Sequence, residues 1–99
     1  MVCITTPSGA HLEPALAAIA AGKHLVVEKP IEITTARVDT LLQAAESRGV
    51  RVAPIFQQRF SEGAQALKTA IAAGRSGPLT SAGCYVKWFR EESYYTGSN

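Results

Sequence analysis

The stretch HLVVEKPIE, residues 24–32, ends a run suited to burial with a charged pair and a proline, Glu28-Lys29-Pro30. A lysine so placed can hydrogen-bond, or hold and relay a proton for a reacting group. Pro30 biases the residue before it to an extended backbone, which aims Lys29 off any helical path, and an X–Pro bond can also be cis. A plain polar turn at a strand end would have the same composition. Two further polar clusters carry groups able to do chemistry. TPSGAH, residues 6–11, offers the Thr6 and Ser8 hydroxyls and the His11 imidazole; QQRF, residues 57–60, offers two amides and a guanidinium.

These clusters matter only if the fold brings them together. Val2–Thr5 is a short β-prone run stopped by TPSG. Leu12, Ala15, Leu16 and Ile19 then recur at helical spacing, with Gly22 as a C-terminal stop. His24–Glu28 is the next apolar run, closed by Pro30. Thr34 or Thr35 can cap a second helix carrying Val38, Leu41, Leu42 and Ala45 and ended by Gly49. Val50–Ile55 is a third strand candidate, and Ser61 can cap a third helix running through Ala64, Leu67 and Ile71 to Gly74. This alternation, with uninterrupted apolar strands, predicts an α/β fold: a parallel sheet covered by helices. In open parallel sheets ligands bind beyond the carboxyl ends of the strands. TPSGAH follows the first strand, EKP the second and QQRF the third. All three polar clusters therefore fall on one edge, the edge where a dinucleotide lies in such folds. The opposite edge, at His24 and Arg51, carries only scattered charge.

After GRSGPL the pattern changes. Thr80–Arg90 alternates, with Ala82, Cys84, Val86, Trp88 and Arg90 on one face and Ser81, Gly83, Tyr85, Lys87 and Phe89 on the other. That predicts a strand of a different sheet and a junction near Gly74–Pro78. Residues 1–77 then form the parallel-sheet domain, and 78–99 the start of a second domain.

Composition excludes several function classes. At 46% hydrophobic and 18% charged, the chain reads as globular and soluble. Its net charge is only +2 and its ten Lys and Arg are scattered, which argues against a nucleic-acid partner. Cys3 and Cys84 are far apart with no metal-ligand spacing, so no metal site is expected and both read as small buried hydrophobes in a reducing compartment. The alanine-rich stretch from Pro14 to Gly22 lacks the basic leader of a signal peptide. No apolar run approaches the ~20 residues that cross a bilayer. The expected setting is cytoplasmic, with no membrane partner.

ITTPSGAH, AGKHLVVEKPIE, QQRF and KWFREESYY, in this order, resemble the Gfo/Idh/MocA family of oxidoreductases over essentially the whole chain. A-G-K-H followed by E-K-P is the specific part of the match. The resemblance implies the C-terminal half of a Rossmann-type NAD(P)-binding domain, followed by the first strand of an α+β substrate domain. It implies a dehydrogenase acting on CH–OH groups, moving a hydride between NAD or NADP and a sugar, cyclitol or related polyol. The parent protein would be a homo-oligomer through its C-terminal sheet. By the same resemblance Lys29 is catalytic, near the nicotinamide and the reacting hydroxyl, and Glu28 orients it or contacts the ribose. Thr6, Pro7, Ser8 and His11 correspond to the family's T-P-N-x-x-H loop along the cofactor, and Pro30 belongs to the same cofactor-binding edge. Ser8 stands where the family usually has Asn, so it is either a shorter-reaching cofactor contact or a helix N-cap. His11 is either a ligand contact or a structural hydrogen-bonder. Gln57 matches the amide near the nicotinamide. Arg59 and Phe60 match an R-F pair, and Arg59 can equally bridge two domains by salt bridges. Trp88, Arg90 and Tyr94 are the implied substrate contacts, an aromatic plane beside a guanidinium being suited to a polyhydroxylated ring. Trp88 as plain core is the alternative, and Tyr85, Phe89 and Tyr95 read as packing.

The family's G-x-G-x-x-G turn is absent from these residues, as is the residue that separates NAD from NADP users. So are the later histidine and aspartate that the resemblance pairs with Lys29. Both ends look cut, which suggests a piece of a longer enzyme. The 99 residues alone are expected not to turn over a substrate, and their unpaired first strand is expected to cause self-association or partial folding. Two other readings stand beside the dehydrogenase: an NAD-dependent glycoside-cleaving relative on the same scaffold, and a non-catalytic binding or regulatory remnant. The intact Lys29 argues against the remnant.

Overall fold

The computed structural model describes residues 1–97. Three strands, β1 (Val2–Ile4), β2 (Leu25–Val27) and β3 (Val52–Pro54), pair in parallel in the order β1-β2-β3. α1 (Leu12–Ala20) links the first pair and α2 (Thr35–Ser47) the second. Two right-handed crossovers running the same way along a sheet lay both helices on one face. The core forms there. Ile4, Leu25 and Val27 from the strands meet Leu12, Ala15 and Ile19 of α1 and Leu41 and Ala45 of α2. The helical spacing of the sequence anticipates both helices. Their stops are as expected: Gly22 and Gly49 adopt φ of +67° and +62°, a conformation that glycine alone enters freely. Thr34 caps α2, its Oγ1 accepting the Arg37 amide at 3.4 Å.

The strands are shorter than the apolar runs that predicted them. Single hydrogen bonds continue the pairing: Glu28 N–H donates to Ile4 O at 3.0 Å, and Ile55 N–H to Val27 O at 2.9 Å. Cys3, Val26 and Ala53 lie opposite one another in register, and Cys3 is exposed, not buried as expected. Alternate residues of a strand point to opposite faces, and the helices cover the Ile4 face. Cys84 is exposed as well, which corrects the same expectation for that residue.

Contacts divide the chain into two compact units, Met1–Gln65 and a second beginning at Ala66. The division falls inside α3 (Glu62–Ala72), ahead of the Gly74–Pro78 junction read from the sequence. Ser61 Oγ accepts the Ala64 amide at 3.4 Å at the start of α3, as predicted, but the helix buries none of its residues. In the second unit the alternating stretch Thr80–Arg90 forms no strand. Alternation supplies two faces, but a strand exists only through a paired neighbour, and the described residues of this stretch have none. A short helix, α4 (Glu92–Thr96), follows, unanticipated in the sequence. Tyr85, Phe89 and Tyr95 are exposed rather than buried, Tyr95 meeting Tyr94 edge-to-face with ring centroids 5.2 Å apart. The last two residues of YYTGSN lie outside the described residues.

Candidate active site

Parallel pairing places the segments after β1, β2 and β3 at the same edge of the sheet. After β1, the Thr6 hydroxyl donates to Ala10 O at 2.8 Å and the Ala10 amide to Pro7 O at 3.0 Å, closing a tight turn. Pro7 and Ser8 are exposed on it. Gly9 has φ of +85°, and a Cβ there would lie 3.2 Å from Ile33 Cδ1, so side chains beyond hydrogen fit poorly where this turn meets the segment after β2. In that segment the Lys29–Pro30 peptide bond is cis. Glu28 is half-buried, and its Oε2 accepts the Lys29 amide. Lys29 and Pro30 are exposed.

His11 lies between the two segments and is only 1% exposed. Its Nε2 is 2.8 Å from Thr6 O, while Nδ1 is 2.9 Å from Pro30 O and 3.2 Å from Ile31 O. Carbonyl oxygens only accept, so a singly protonated ring donates to one segment at a time and a doubly protonated ring ties both. Of the roles open to His11 in the sequence, the structural hydrogen-bonder is visible here. Ser8 is not the N-cap of α1. The helix begins after His11, with no side-chain cap from its own N-terminal residue.

The cap comes from a residue the sequence reading passed over. Glu32 is buried, and its Oε1 accepts the amides of His11 at 3.2 Å and Leu12 at 2.9 Å, two of the unpaired donors that open α1. Its Oε2 accepts the Ile33 amide at 3.0 Å and Arg37 Nε at 2.8 Å. Arg37 reaches further: its NH2 nitrogen donates to Gly9 O at 3.2 Å and to Glu13 Oε1 at 3.1 Å. The Arg37 hydrogen bond, joined by the Ile33 and Leu12 amides, outweighs burial and holds the Glu32 carboxyl at about 2, well below the usual carboxylate range. Glu13 is lowered too, through its own backbone hydrogen bond and then Arg37, and Arg37 is raised, first by Glu32 and then by Glu13. A local signal for this network exists. A lone carboxylate between two isoleucines, five residues before an arginine, is poorly explained as a solvated side chain.

After β3, QQRF forms a 3-10 turn, Gln57–Phe60, with Gln57 exposed. Arg59 Cζ stands 6.0 Å from the Phe60 ring centroid. In the second unit, Arg90 Cζ lies 5.3 Å from the ring centroids of both Trp88 and Tyr94, a cation held by two aromatic faces. Trp88 is 67% exposed, so it is not core among the described residues. No group of three His, Cys, Asp or Glu among them could hold a metal ion, and none of their helices is long and apolar enough to cross a membrane.

Comparison with known proteins agrees with this geometry. Residues 1–56 match the GFO_IDH_MocA family model, described as an oxidoreductase family with an NAD-binding Rossmann fold. The scyllo-inositol 2-dehydrogenase (NADP(+)) IolW of Bacillus subtilis is 39% identical over 74 residues, covering 75% of this chain and 21% of its own. The 1,5-anhydro-D-fructose reductase of Ensifer adhaerens is 37% identical over 76 residues, covering 77% of this chain and 23% of its own. The apo scyllo-inositol dehydrogenase structure from Lactobacillus casei superposes with a TM-score of 0.73 at 30% identity, over 80% of this chain and 24% of that one. The chain thus spans about a quarter or less of the length of these relatives. With the parallel sheet, its loaded carboxyl edge and the family match in agreement, the chain belongs to the Gfo/Idh/MocA oxidoreductase family and carries part of its NAD-binding Rossmann fold.

Proposed function

We propose that this chain is part of an NAD(P)-dependent dehydrogenase that oxidises a secondary alcohol of a cyclitol or related sugar polyol, with Lys29 as its catalytic residue. The observation that carries the reading is the convergence of the Thr6–His11 turn and the Glu28–Ile33 segment at the carboxyl edge of a parallel sheet, with Lys29 exposed between anchored neighbours. Relatives named for scyllo-inositol and for 1,5-anhydro-D-fructose favour ring polyols as the substrate class.

The edge suits a dinucleotide. Thr6, Pro7, Ser8, Glu28 and Pro30 would line it, with Gln57 near the nicotinamide and His11 fixing the backbone beneath. The nicotinamide supplies a two-electron acceptor for the hydride. In the forward direction the alcohol carbon loses its C–H bond as hydride, the hydroxyl loses its proton, and a ketone forms. Lys29 would hydrogen-bond the reacting oxygen and relay that proton towards solvent. In the second domain, taken to begin at residue 78, Trp88 and Tyr94 would stack on the polyol ring while Arg90 pairs with its hydroxyls. The whole protein would work in the cytoplasm as a homo-oligomer.

The test is Lys29→Ala, made in the chain together with the coding sequence that continues it in frame, and assayed with scyllo-inositol and NADP⁺. Turnover should fall roughly 10²- to 10⁴-fold, the usual worth of positioned acid–base catalysis, while cofactor affinity changes little. A variant as fast as the unaltered protein would remove Lys29 from the chemistry.

A further inference from the structure

We propose that Glu32 is a positioning residue for Lys29: its buried carboxylate locks the segment after β2 to the first turn of α1, so that the lysine and the Thr6–His11 turn are presented as one rigid edge. This rests on the reading of Lys29 given above.

A carboxylate without solvent is costly unless every lone pair is used. Glu32 meets that condition with three backbone amides and the Arg37 guanidinium. The identity of those partners gives the residue its role. Two of the amides, His11 and Leu12, begin α1 and end the cofactor-side turn; the third, Ile33, lies next to Glu32 itself. Arg37 adds α2 to the clamp and also grips Gly9 O, inside the turn.

Lys29 sits between fixed points. On its amino side, Glu28 N–H is held by Ile4 O of β1. On its carboxyl side, Pro30 O and Ile31 O face the His11 ring, and Glu32 follows at once. From Glu28 to Glu32 each residue but Lys29 is tied to β1 or to the β1–α1 segment. The lysine is left as the free side chain on a held backbone, the arrangement that a catalytic group requires. Glutamine would replace a pure acceptor with a group that presents N–H to the amides or to Arg37, and so breaks at least one tie. Aspartate keeps the charge but falls short by one methylene.

The experiment compares Glu32→Gln and Glu32→Asp with the unaltered protein, each made with its in-frame continuation. Single-turnover oxidation of scyllo-inositol by saturating NADP⁺ separates two effects: the amplitude reports the folded fraction, and the rate constant reports the placement of the lysine. Both variants should show a rate constant roughly 10- to 100-fold lower, the cost expected of a displacement near 1 Å at a reacting group. Amide hydrogen exchange should accelerate in residues 7–13 and 29–33 and stay unchanged in β3. An unchanged rate constant in variants that fold, or exchange raised evenly through the whole unit, would overturn the proposal and leave Glu32 a stabilising cap. Failure of the function reading looks different: Lys29→Ala would then be as fast as the unaltered protein, whatever Glu32 does.

Discussion

The two ends of this chain hold polar groups by opposite means. Near α1, His11 and Glu32 are almost fully buried, and each polar atom meets a backbone or guanidinium partner. Around Trp88, Arg90 and Tyr94 the groups meet one another on exposed surface, held by ring faces, in a unit with no buried residue among those described. The first arrangement is set by enclosure and tolerates little displacement. The second rests on contacts at exposed surface, where a displaced group meets water instead of an unpaired neighbour.

The largest expected effect tests enclosure directly. Leu41→Ala, at a position fully buried between α1, α2 and the sheet, should destabilise the first unit by about 2–5 kcal/mol in urea unfolding. Trp88→Ala should stay within about 0.5 kcal/mol, as for exposed residues generally. Comparable losses from the two would erase the contrast.

Acid should discriminate next. The Glu32 carboxyl is held at about 2 in the folded chain against an ordinary value of 4.5. A depressed carboxylate contributes stability that is fully present above its unfolded value and is lost as pH falls through the folded one. The first unit should therefore weaken between about pH 4.5 and 2. Glu32→Gln should start less stable and show a shallower loss over that window; equal slopes in an acid titration of unfolding would show that the clamp is not the acid-sensitive element.

The smallest effect concerns the thiols. Both cysteines are exposed, one on each unit, so a thiol reagent should modify two groups per 99-residue chain without denaturant and with little change in melting temperature. Protection of Cys3 alone would mean that the open face of the sheet is covered in solution.

Much of the first unit was legible because its information is local. Leu12, Ala15 and Ile19 mark one helical face, Gly22 and Gly49 stop two helices, and Thr34 and Ser61 cap two more starts as their positions suggest. The cap of α1 was out of reach for the complementary reason. Ser8 is the residue a local search selects, whereas the carboxylate that does the work arrives from 20 positions later. The same blindness applies in reverse to Thr80–Arg90, where alternation without a partner strand promises more than the described residues form. Lys29 lies within a short motif, but the residues that hold its neighbours, Glu32 and Arg37, belong to no short pattern.

That long-range cap also has a meaning in time. Leu12 leaves the ribosome 20 residues before Glu32. At about 5–20 residues per second, α1 spends roughly one to four seconds without the group that closes its leading turn. During that interval its start has no permanent owner, and a nascent chain could begin the helix a residue early or late. Only when the second strand and its following segment have been made does Glu32 arrive and settle the matter, so the boundary of α1 is decided just as the chain of α2 starts to be made.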